Sequence, residues 1–383
     1  MVSRIYKWKV EKILQSLRRL RRASQAQLSR FTGVSKPEVS SIVHMLLDKG
    51  VIKEVGLGES PKQGGRKPTY LSFVSTYKYV VAVDVGGTKI LSSVVDLDGN
   101  IVYHDISLSR GIKDRDALLE RLEEVVRDCL DRVGHENVLG IGLGVPGTVD
   151  EVSGLVRHLP AFGLTDLDLR YELEWKFHLP VVIGNDVTFG ALGESWIGAA
   201  KELKNVILVS VGTGIGAGIV IDGRIYTGLR GNAGEIGEMV TDWSKESVKK
   251  YGFGRIEEWL SGYSLEKFGA KIGIGEDVIA LFERLPTSKE VSDRVKEGAI
   301  HLGLAIANAV VLLDPDKVLL AGGIGYNQYD VLYPQIDEVL REVLPSEMYR
   351  EDLLSKALLE PYSVVIGATY SVENALLLDA ICE

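Results

Sequence analysis

Cysteine is scarce in this chain of 383 residues, and so are long apolar runs. The two cysteines, Cys129 and Cys382, lie far apart in sequence, so they build neither a disulfide framework nor a Cys-rich metal motif. No apolar stretch approaches the ~18 residues of a membrane span. The first 12 residues also lack the apolar segment of a secretory signal. These absences predict a cytoplasmic protein with two unpaired thiols.

The overall composition has no strong bias. Hydrophobic residues make up 45% of the chain and charged residues 25%, with 42 Gly and 11 Pro. These values lie near the averages of globular proteins, so a fibrous or disordered chain is excluded. The length predicts two or three domains.

Charge is distributed unevenly along the chain, whose formal net charge is -9. Residues 1–75 contain 15 Lys and Arg against 5 Asp and Glu, whereas the remaining residues contain 29 against 48. A basic segment fused to an acidic body is typical of a module that binds nucleic acid. The alternative is that the arginines only solvate one face of a helix.

The basic segment is predicted to contain three helices. Apolar residues keep helical spacing over residues 4–22. A second helix begins at the capping box of Ser24 and Gln27, and a third begins at the capping box of Ser35 and Glu38. The second and third helices are joined by a turn that contains glycine, which is the helix-turn-helix arrangement.

The third helix is the candidate recognition helix, and a β-hairpin wing is predicted after it. Strands are expected at 51–55 and 69–73, around a basic Gly-rich hairpin. Helical hairpins that pack against other domains share the helix pattern, but the wing and the positive charge favour DNA binding. The predicted DNA contacts are Ser35, Lys36, Pro37, Ser40, Ser41 and His44 on the helix, and Arg66 and Lys67 in the wing.

Two stretches of the acidic body share one pattern of strand, Gly-rich turn, strand and Asp-Gly turn. They begin at Tyr79 and Val206, 127 residues apart, and predict an internal duplication with two similar lobes that face one cleft. The second Gly-rich turn also fits the dinucleotide fingerprint G-x-G-x-x-A. That motif requires a following helix, whereas residues 219–223 predict a strand and a turn, so a Rossmann site is disfavoured.

The Gly-rich turns are candidate phosphate loops, because glycine lets backbone N–H groups approach a polyphosphate. Thr88, Lys89 and Thr213 add hydroxyl donors and a positive charge. The alternative is that such turns only close hairpins. Asp186 follows a predicted buried strand, where a carboxylate can accept the proton of a sugar hydroxyl, although the same residue type often caps a helix.

A series of motifs over essentially the whole chain resembles the ROK family of repressors and sugar kinases. The motifs are DVGGTK at 84–89, GLGVPGTVD at 142–150, Asn185-Asp186, ALGE at 191–194, GTGIGAG at 212–218, GEIG at 234–237 and DPDKVLLAGG at 314–323. The basic segment and its GGRKP wing are similar to the repressor branch. The phosphate loop and the catalytic-type Asp are both intact, so the residues leave kinase activity open.

The resemblance implies an α/β fold. An N-terminal winged helix-turn-helix domain is expected at 1–73, followed by a two-lobed actin/hexokinase-like (ribonuclease H-like) body of the ATPase type. The small lobe is expected at 74–188, completed by a C-terminal helix at 364–383. The large lobe is expected at 189–363.

The resemblance also implies roles for residues of the cleft. Asp186 would be the catalytic base, and Asp84 would help to place Mg²⁺ through water. The residues implied to bind ATP and its phosphates are Asp84, Gly86, Gly87, Thr88, Lys89, Thr213, Gly214, Gly216, Gly322 and Gly323. Those implied to contact sugar are His158, Asn185, Asp186, Glu235, Glu238 and Glu257. Mg-ATP is the cofactor that this site implies.

Two positions depart from the family pattern. His158 stands where the family has a sugar-contacting Asn, and Glu238 stands where it has a zinc-binding His. The zinc cysteines are also missing, since Tyr251 and Phe253 occupy the first two of their positions. We therefore expect no structural zinc, and we expect aromatic packing by Tyr251, Phe253 and Trp259 in its place.

The sequence predicts a sugar-responsive transcriptional repressor of carbohydrate genes. Its expected partners are a palindromic duplex DNA operator, a sugar effector or substrate, and further copies of itself in a homodimer or a dimer of dimers. The alternative is an ATP-dependent sugar kinase, of the glucokinase or N-acetylglucosamine kinase type, with an accessory DNA-binding domain. The sugar that the body could phosphorylate would be a hexose or an N-acetylhexosamine, and the sequence does not identify the effector.

Overall fold

A computed structural model describes residues 4–57, 67–150, 153–244 and 255–383. Its N-terminal part contains three helices and an antiparallel two-stranded sheet, in the predicted order. These elements are α1 (Arg4–Leu20), α2 (Gln25–Thr32), α3 (Lys36–Asp48), β1 (Ile52–Leu57) and β2 (Thr69–Phe73). Residues 58–66, which include the predicted wing contact Arg66, lie outside the described residues.

The two predicted capping boxes differ. At α2 the box is present, since Ser24 Oγ accepts the Gln27 N–H and Gln27 Oε1 accepts the Ser24 N–H at 2.9 Å. At α3 the predicted box is wrong: Ser35 Oγ donates instead to Glu38 Oε2 at 2.7 Å. The reason is electrostatic, because Glu38 also pairs with Lys9 of α1 and this lowers the pKa of Glu38.

The body contains two five-stranded sheets with the same order and strand directions. The first sheet runs in the order β5 (Ile101–Leu108), β4 (Lys89–Asp96), β3 (Tyr79–Val85), β6 (Val138–Val145) and β10 (Val181–Asn185). The second runs in the order β13 (Arg224–Ile225), β12 (Ile215–Ile221), β11 (Val206–Val211), β14 (Lys317–Ala321) and β15 (Leu354–Lys356). In each sheet the first three strands are antiparallel neighbours and the last three are parallel neighbours. This shared topology confirms the internal duplication that the repeated Gly-rich turns predict.

The elements of the body follow the N-terminal domain in chain order. The first half of the body contains, in chain order, β3 (Tyr79–Val85), β4 (Lys89–Asp96), β5 (Ile101–Leu108), α4 (Arg115–Val133), β6 (Val138–Val145), β7 (Thr148–Val149), β8 (Val156–Leu159), β9 (Leu164–Leu167), α5 (Leu169–Phe177), β10 (Val181–Asn185) and α6 (Asp186–Trp196). Those from the second sheet onward are β11 (Val206–Val211), β12 (Ile215–Ile221), β13 (Arg224–Ile225), α7 (Glu257–Leu260), α8 (Gly262–Lys271), α9 (Val278–Glu283), α10 (Lys289–Leu313), β14 (Lys317–Ala321), α11 (Gly322–Asn327), α12 (Tyr329–Val343), β15 (Leu354–Lys356) and α13 (Ser363–Cys382).

Helices α6 and α13 pack together between the two sheets. Helix α13 contacts β3 and β6 of the first sheet, and α6 contacts β11 and β12 of the second. Two glycines allow the close crossing, because a β-carbon at Gly193 would lie 2.3 Å from the Ser363 carbonyl oxygen and one at Gly367 would lie 1.7 Å from that of Phe189. The helix pair therefore joins the two halves of the body.

The DNA-binding part packs on the same C-terminal helix. Apolar residues of α1 to α3 form one continuous buried cluster with residues of β3, β4 and α13. Arg18 of α1 forms an ion pair with Glu373 of α13, and the Arg18 guanidinium lies 4.2 Å from the centre of the Phe73 ring. Lys7 and Asp379 form a second, more exposed ion pair between α1 and α13.

Helices α10 and α13 each contain an apolar window that satisfies the length and composition of a membrane span. The expectation that no apolar stretch approaches the length of a span is thus wrong by composition, because small and polar residues within these helices disguise their apolar character. The folded chain buries 56% of the window in α10 and 50% of that in α13, which is the behaviour of core helices.

Candidate functional site

Three parallel strands of the first sheet end side by side at the cleft. Asp84 on β3 pairs with Gly144 on β6, which in turn pairs with Gly184 on β10. Strand β10 continues into Asn185, the N-cap of α6, and Asp186, its first residue. Ligands of open α/β sheets bind beyond such carboxyl ends. Three residues predicted for the cleft thus share one sheet edge.

Asp186 is partly buried, and the pKa of its carboxyl is raised to near neutrality. Burial raises the pKa of its carboxyl to about 7, against a backbone hydrogen bond from the Val187 N–H, which lies 2.9 Å from Oδ1. The carboxylates of Glu235 and Glu360 raise the pKa further. A base works best when its pKa lies near the operating pH, so Asp186 suits proton abstraction from an alcohol.

Asp84 carries the second perturbed carboxyl at this edge. Burial and the neighbouring carboxylates of Asp186 and Glu360 raise its pKa to about 8, and the ammonium of Lys89 opposes that rise. Two carboxylates this close share a strong preference for a bound cation or a proton. The place of Asp84 near Mg²⁺ stays a prediction.

The first predicted phosphate loop is a tight turn between β3 and β4. The Gly86 N–H donates to the Lys89 carbonyl oxygen at 2.9 Å, and a β-carbon at Gly86 would lie 2.7 Å from that oxygen. Ser109 stabilises the turn, because its hydroxyl donates to the Gly86 carbonyl oxygen at 2.6 Å and its N–H donates to the Thr88 carbonyl oxygen. Gly87 lies against Ala161, and Thr88 and Lys89 are exposed.

The second loop is the equivalent turn between β11 and β12. The Gly212 N–H donates to the Gly214 carbonyl oxygen at 2.9 Å, and the Gly262 N–H donates to that of Gly212 at 2.8 Å. Thr213 and Gly214 are exposed in the turn. The second loop is thus a tight turn like the first, and its binding of phosphate stays a prediction.

The assignment of Gly216 to this loop is not supported by its position. Gly216 lies within β12, paired with Ser210, and a β-carbon there would contact Val187 of α6 at 3.4 Å. Its lack of a side chain serves the packing of the helix on the strand. The alternating glycines of residues 212–218 therefore have two functions, a turn at the beginning and helix packing afterwards.

Glu360 is a third cleft carboxyl, and the sequence analysis missed it. It lies between β15 and α13, and its Oε1 accepts the Gly322 N–H at 2.9 Å. Burial raises its pKa, against the hydrogen bond from Gly322. Gly322 itself has φ +79, whereas the space beside Gly323 is open. The N–H of Gly322, a predicted nucleotide-binding residue, therefore already donates to a carboxylate of the protein.

Glu235 and Glu257, two predicted sugar contacts, lie close together. Burial raises the pKa of Glu235, and the carboxylates of Glu257 and Glu238 raise it further. Glu257 Oε1 accepts the Ile215 N–H at 2.9 Å, directly after the second loop. Glu257 therefore connects the predicted sugar subsite to the predicted phosphate loop.

Asn185 uses its side-chain amide within the protein. Its Nδ2 donates to the Gly147 carbonyl oxygen at 3.1 Å, and its Oδ1 accepts the Thr188 N–H at 3.0 Å. The carbonyl oxygen of His158 packs behind Gly147, where a β-carbon would come within 2.0 Å. His158 is exposed on β8, so its backbone shapes the site through Gly147.

Glu238, a predicted sugar contact, forms an ion pair within the protein. Glu238 is exposed and pairs with Arg255 at 3.0 Å, so a guanidinium balances its negative charge. No local pattern indicates this pairing, because Arg255 lies 17 residues after Glu238 and approaches it through the bridge between Val240 and Arg255.

The predicted recognition face of α3 is open to solvent. Its apolar stripe is buried in the N-terminal domain, and the opposite residues Ser35, Lys36, Pro37, Ser41 and His44 are exposed, with Ser40 partly exposed. His44 Nδ1 donates to the Ser40 carbonyl oxygen at 2.7 Å, which leaves Nε2 for an outside partner. Lys67 is exposed at the base of the wing.

Comparison with known proteins agrees with both parts of the chain. Residues 10–53 match the profile described as winged helix-turn-helix DNA-binding. Residues 80–375 match the profile of the ROK family. The chain belongs to the ROK family. This confirms the family that the sequence motifs indicate.

ROK proteins of two kinds resemble this chain. The xylose repressor of Bacillus subtilis (strain 168) is 30% identical over 335 residues, which cover 86% of this chain and 84% of the repressor. A solved ROK family transcriptional regulator, described as a homolog of the E. coli MLC protein, has a TM-score of 0.82 at 23% identity and covers 99% of this chain and 98% of its own. A ROK hexokinase from Thermus thermophilus has a TM-score of 0.65 at 26% identity and covers 80% of this chain and 100% of its own. The predicted fold class is confirmed.

The region where the ROK resemblance implies zinc contains an aromatic stack. Trp259 is buried and stacks on His301 with ring centres 4.4 Å apart, and His301 Nδ1 lies 2.7 Å from the hydroxyl of Thr241. Tyr251, Phe253 and the shortened loop lie outside the described residues, so aromatic packing in place of zinc stays a prediction. Within residues 4–57, 67–150, 153–244 and 255–383, no group of three or more His, Cys, Asp or Glu is arranged to hold a metal ion.

The absence of zinc is a prediction that elemental analysis can test. We expect less than about 0.1 equivalent of zinc per chain after purification without chelator, because the soft ligands of such a site are missing from the sequence. EDTA should leave the melting temperature unchanged. One equivalent of zinc per chain, or unfolding by EDTA, would contradict this prediction.

Proposed function

We propose that this protein is a sugar-responsive transcriptional repressor of carbohydrate genes. The observation that carries the proposal is the presence, in one chain, of an exposed polar face on α3 and a two-sheet cleft of the sugar-kinase type. The similarity to a xylose repressor over most of its length supports the same combination. The winged helix would bind duplex DNA, and the cleft would bind the sugar.

The DNA-binding part would act as a dimer on a two-fold operator. Ser41, His44 and Lys36 on α3 would reach base edges or phosphates in the major groove, and Lys67 with Arg66 would reach the minor groove. The net charge of +10 over residues 1–75 supplies the attraction to phosphates and makes the binding dependent on salt.

Lys36→Ala is expected to weaken binding to every DNA sequence about tenfold at physiological salt. The lysine is exposed at the beginning of α3, so its loss removes a phosphate contact and lowers the slope of log affinity against log salt by about one. Fluorescence anisotropy with the upstream region of the gene, at several salt concentrations, measures both values.

Lys113→Ala is the matched control for this substitution. Lys113 is an equally exposed lysine in the body, in the turn before α4, so its removal should leave both affinity and slope unchanged. Equal effects of the two substitutions would show that α3 is not the DNA-binding helix. Equal affinity of the wild-type protein for the upstream region and for random DNA would contradict specific repression.

The cleft supports a second candidate function, phosphorylation of a hexose or an N-acetylhexosamine. Mg-ATP would supply the phosphoryl group, and Thr88, Lys89, Thr213 and Gly214 are exposed where they would hold its phosphates. Asp186 would accept the proton of the attacking hydroxyl. The specific observation in favour of this function is the pKa of Asp186, which burial raises to about 7.

Helix α13 would couple the sugar cleft to the DNA-binding domain. It begins three residues after Glu360 of the cleft and packs on α6, which begins at Asp186. About three turns later it carries Glu373, the partner of Arg18 in α1. A change in lobe closure would move α13 and thereby alter the spacing of two winged helices in a dimer. Coupling of this kind is reciprocal, so DNA would shift the affinity for sugar by the same factor.

A further inference from the structure

A cavity of 620 Å³ lies beside the candidate sugar site, between the two halves of the body. Its volume falls within the roughly 300–1,000 Å³ of small-molecule sites. Thr148, Val149, Asp150 and Arg157 line it from β7, β8 and the segments beside them, and residues 227–232 line it from the opposite half. None of these residues belongs to the predicted catalytic, phosphate or sugar contacts.

The segments that form both walls of the cavity adjoin candidate sugar contacts along the chain. Thr148 follows Gly147, whose carbonyl oxygen accepts the Asn185 amide, and residues 227–232 end three residues before Glu235. The walls approach each other at Gly231, where a β-carbon would lie 2.8 Å from the Val149 carbonyl oxygen. The cavity is therefore lined by segments that adjoin candidate sugar contacts along the chain, and these segments come from both halves of the body.

The lining of the cavity contains two guanidiniums and one carboxylate. The Arg157 guanidinium lies 3.4 Å from a carboxylate oxygen of Asp150 and, outside the lining, 3.9 Å from one of Asp166. Arg230 is the second guanidinium, and it is exposed. Thr148, Thr227 and Asn232 add hydroxyl and amide groups. Many donors and acceptors on both walls suit the hydroxyls of a polyol, and the excess positive charge makes a sugar phosphate the competing ligand.

We propose that this cavity is a second sugar subsite, and that the effector is a disaccharide or a longer glycoside rather than a single sugar. The inference rests on the proposed function, since it assumes that the first unit occupies the site at Asn185, Glu235 and Glu257. The second unit would contact Thr148 and Asp150 on one wall and Arg230 and Asn232 on the other. Because it touches both halves, its binding would favour closure of the cleft.

The test is calorimetric titration of the full chain with matched pairs of sugars. The probes are glucose with cellobiose and maltose, xylose with xylobiose, N-acetylglucosamine with N,N′-diacetylchitobiose, and glucose 6-phosphate. At least one disaccharide should bind roughly tenfold or more tightly than its own monosaccharide, as one or two additional net hydrogen bonds provide.

Two variants assign that preference to the cavity. Asn232→Ala and Thr148→Val should each lower the affinity for the preferred disaccharide about tenfold and leave the affinity for its monosaccharide unchanged. Thr165→Val, on the neighbouring strand β9 and outside the cavity, is the matched control and should change neither affinity.

Several outcomes would overturn the inference. Monosaccharides that bind as tightly as their disaccharides would leave the proposed repressor function intact and remove the second subsite. Tighter binding of glucose 6-phosphate than of any disaccharide would make the cavity an anion site. Equal effects of Thr148→Val and Thr165→Val would remove the assignment to the cavity. Failure of every sugar to bind would overturn the proposed function together with this inference.

Discussion

Asp186→Asn is expected to lower the rate of sugar phosphorylation by ~10²–10⁴-fold and to leave sugar affinity nearly unchanged. The substitution removes the base but keeps an oxygen in place to accept the Val187 N–H, which now lies 2.9 Å from Asp186 Oδ1, so the beginning of α6 should be preserved. Release of ADP in a coupled assay measures turnover, and calorimetry with the same sugar measures binding.

The pH profile of the wild-type protein gives an independent check on this assignment. Burial raises the pKa of Asp186 to about 7, and a base must be deprotonated to act, so kcat/KM should fall as the pH decreases below about 7. Asp168→Asn, at the exposed N-cap of α5, is the control and should retain full turnover.

Two results would contradict the proposed sugar kinase activity with Asp186 as its base. Full turnover by the Asp186→Asn protein would show that Asp186 is not the base. Absence of phosphorylation by the wild-type protein over a broad panel of hexoses and N-acetylhexosamines, together with absence of nucleotide binding, would make the cleft a sensor alone. The occupation of the Gly322 N–H by Glu360 would then explain why the nucleotide is excluded.

Glu373→Gln is expected to destabilise the protein by roughly 3 kcal/mol, because it leaves the Arg18 guanidinium without its carboxylate between two packed domains. This is the low end of the range for buried pairs, since Arg18 keeps 22% of its side chain exposed. Asp379→Asn breaks the exposed pair with Lys7 on the same helix and should cost at most about 1 kcal/mol. Urea unfolding monitored by tryptophan fluorescence gives both values.

The same two variants test whether α13 transmits the sugar signal. The Glu373→Gln protein should bind sugar normally but show a smaller change in DNA affinity on adding it, whereas the Asp379→Asn protein should respond as the wild type does. Equal stability losses, or an unchanged sugar response in the Glu373→Gln protein, would show that this ion pair does not couple the domains.

Local patterns were sufficient to predict most of the fold. Apolar spacing and the Ser24 capping box indicated the helices of the N-terminal domain, and the repeated Gly-rich turns indicated two similar sheets. These features depend on neighbours within a few residues, which a sequence displays directly. The boundaries at residues 73 and 188 stay predictions.

Contacts between distant parts of the chain account for what the sequence did not predict. Glu360 enters the cleft through the packing of α13, and a lone Glu before a proline carries no signal of that position. Arg255 balances Glu238, and Lys9 draws Glu38 away from the cap of α3. In each case a long side chain finds an opposite charge that only the tertiary fold brings near.

One titration tests whether sugar in the cleft controls DNA binding. The affinity of the full chain for its upstream region is measured by fluorescence anisotropy, with and without a saturating sugar that calorimetry has shown to bind. We expect the sugar to change DNA affinity by about 5–150-fold, and DNA to change sugar affinity by the same factor. Equal DNA affinity with and without the bound sugar would show that sugar in the cleft does not control DNA binding.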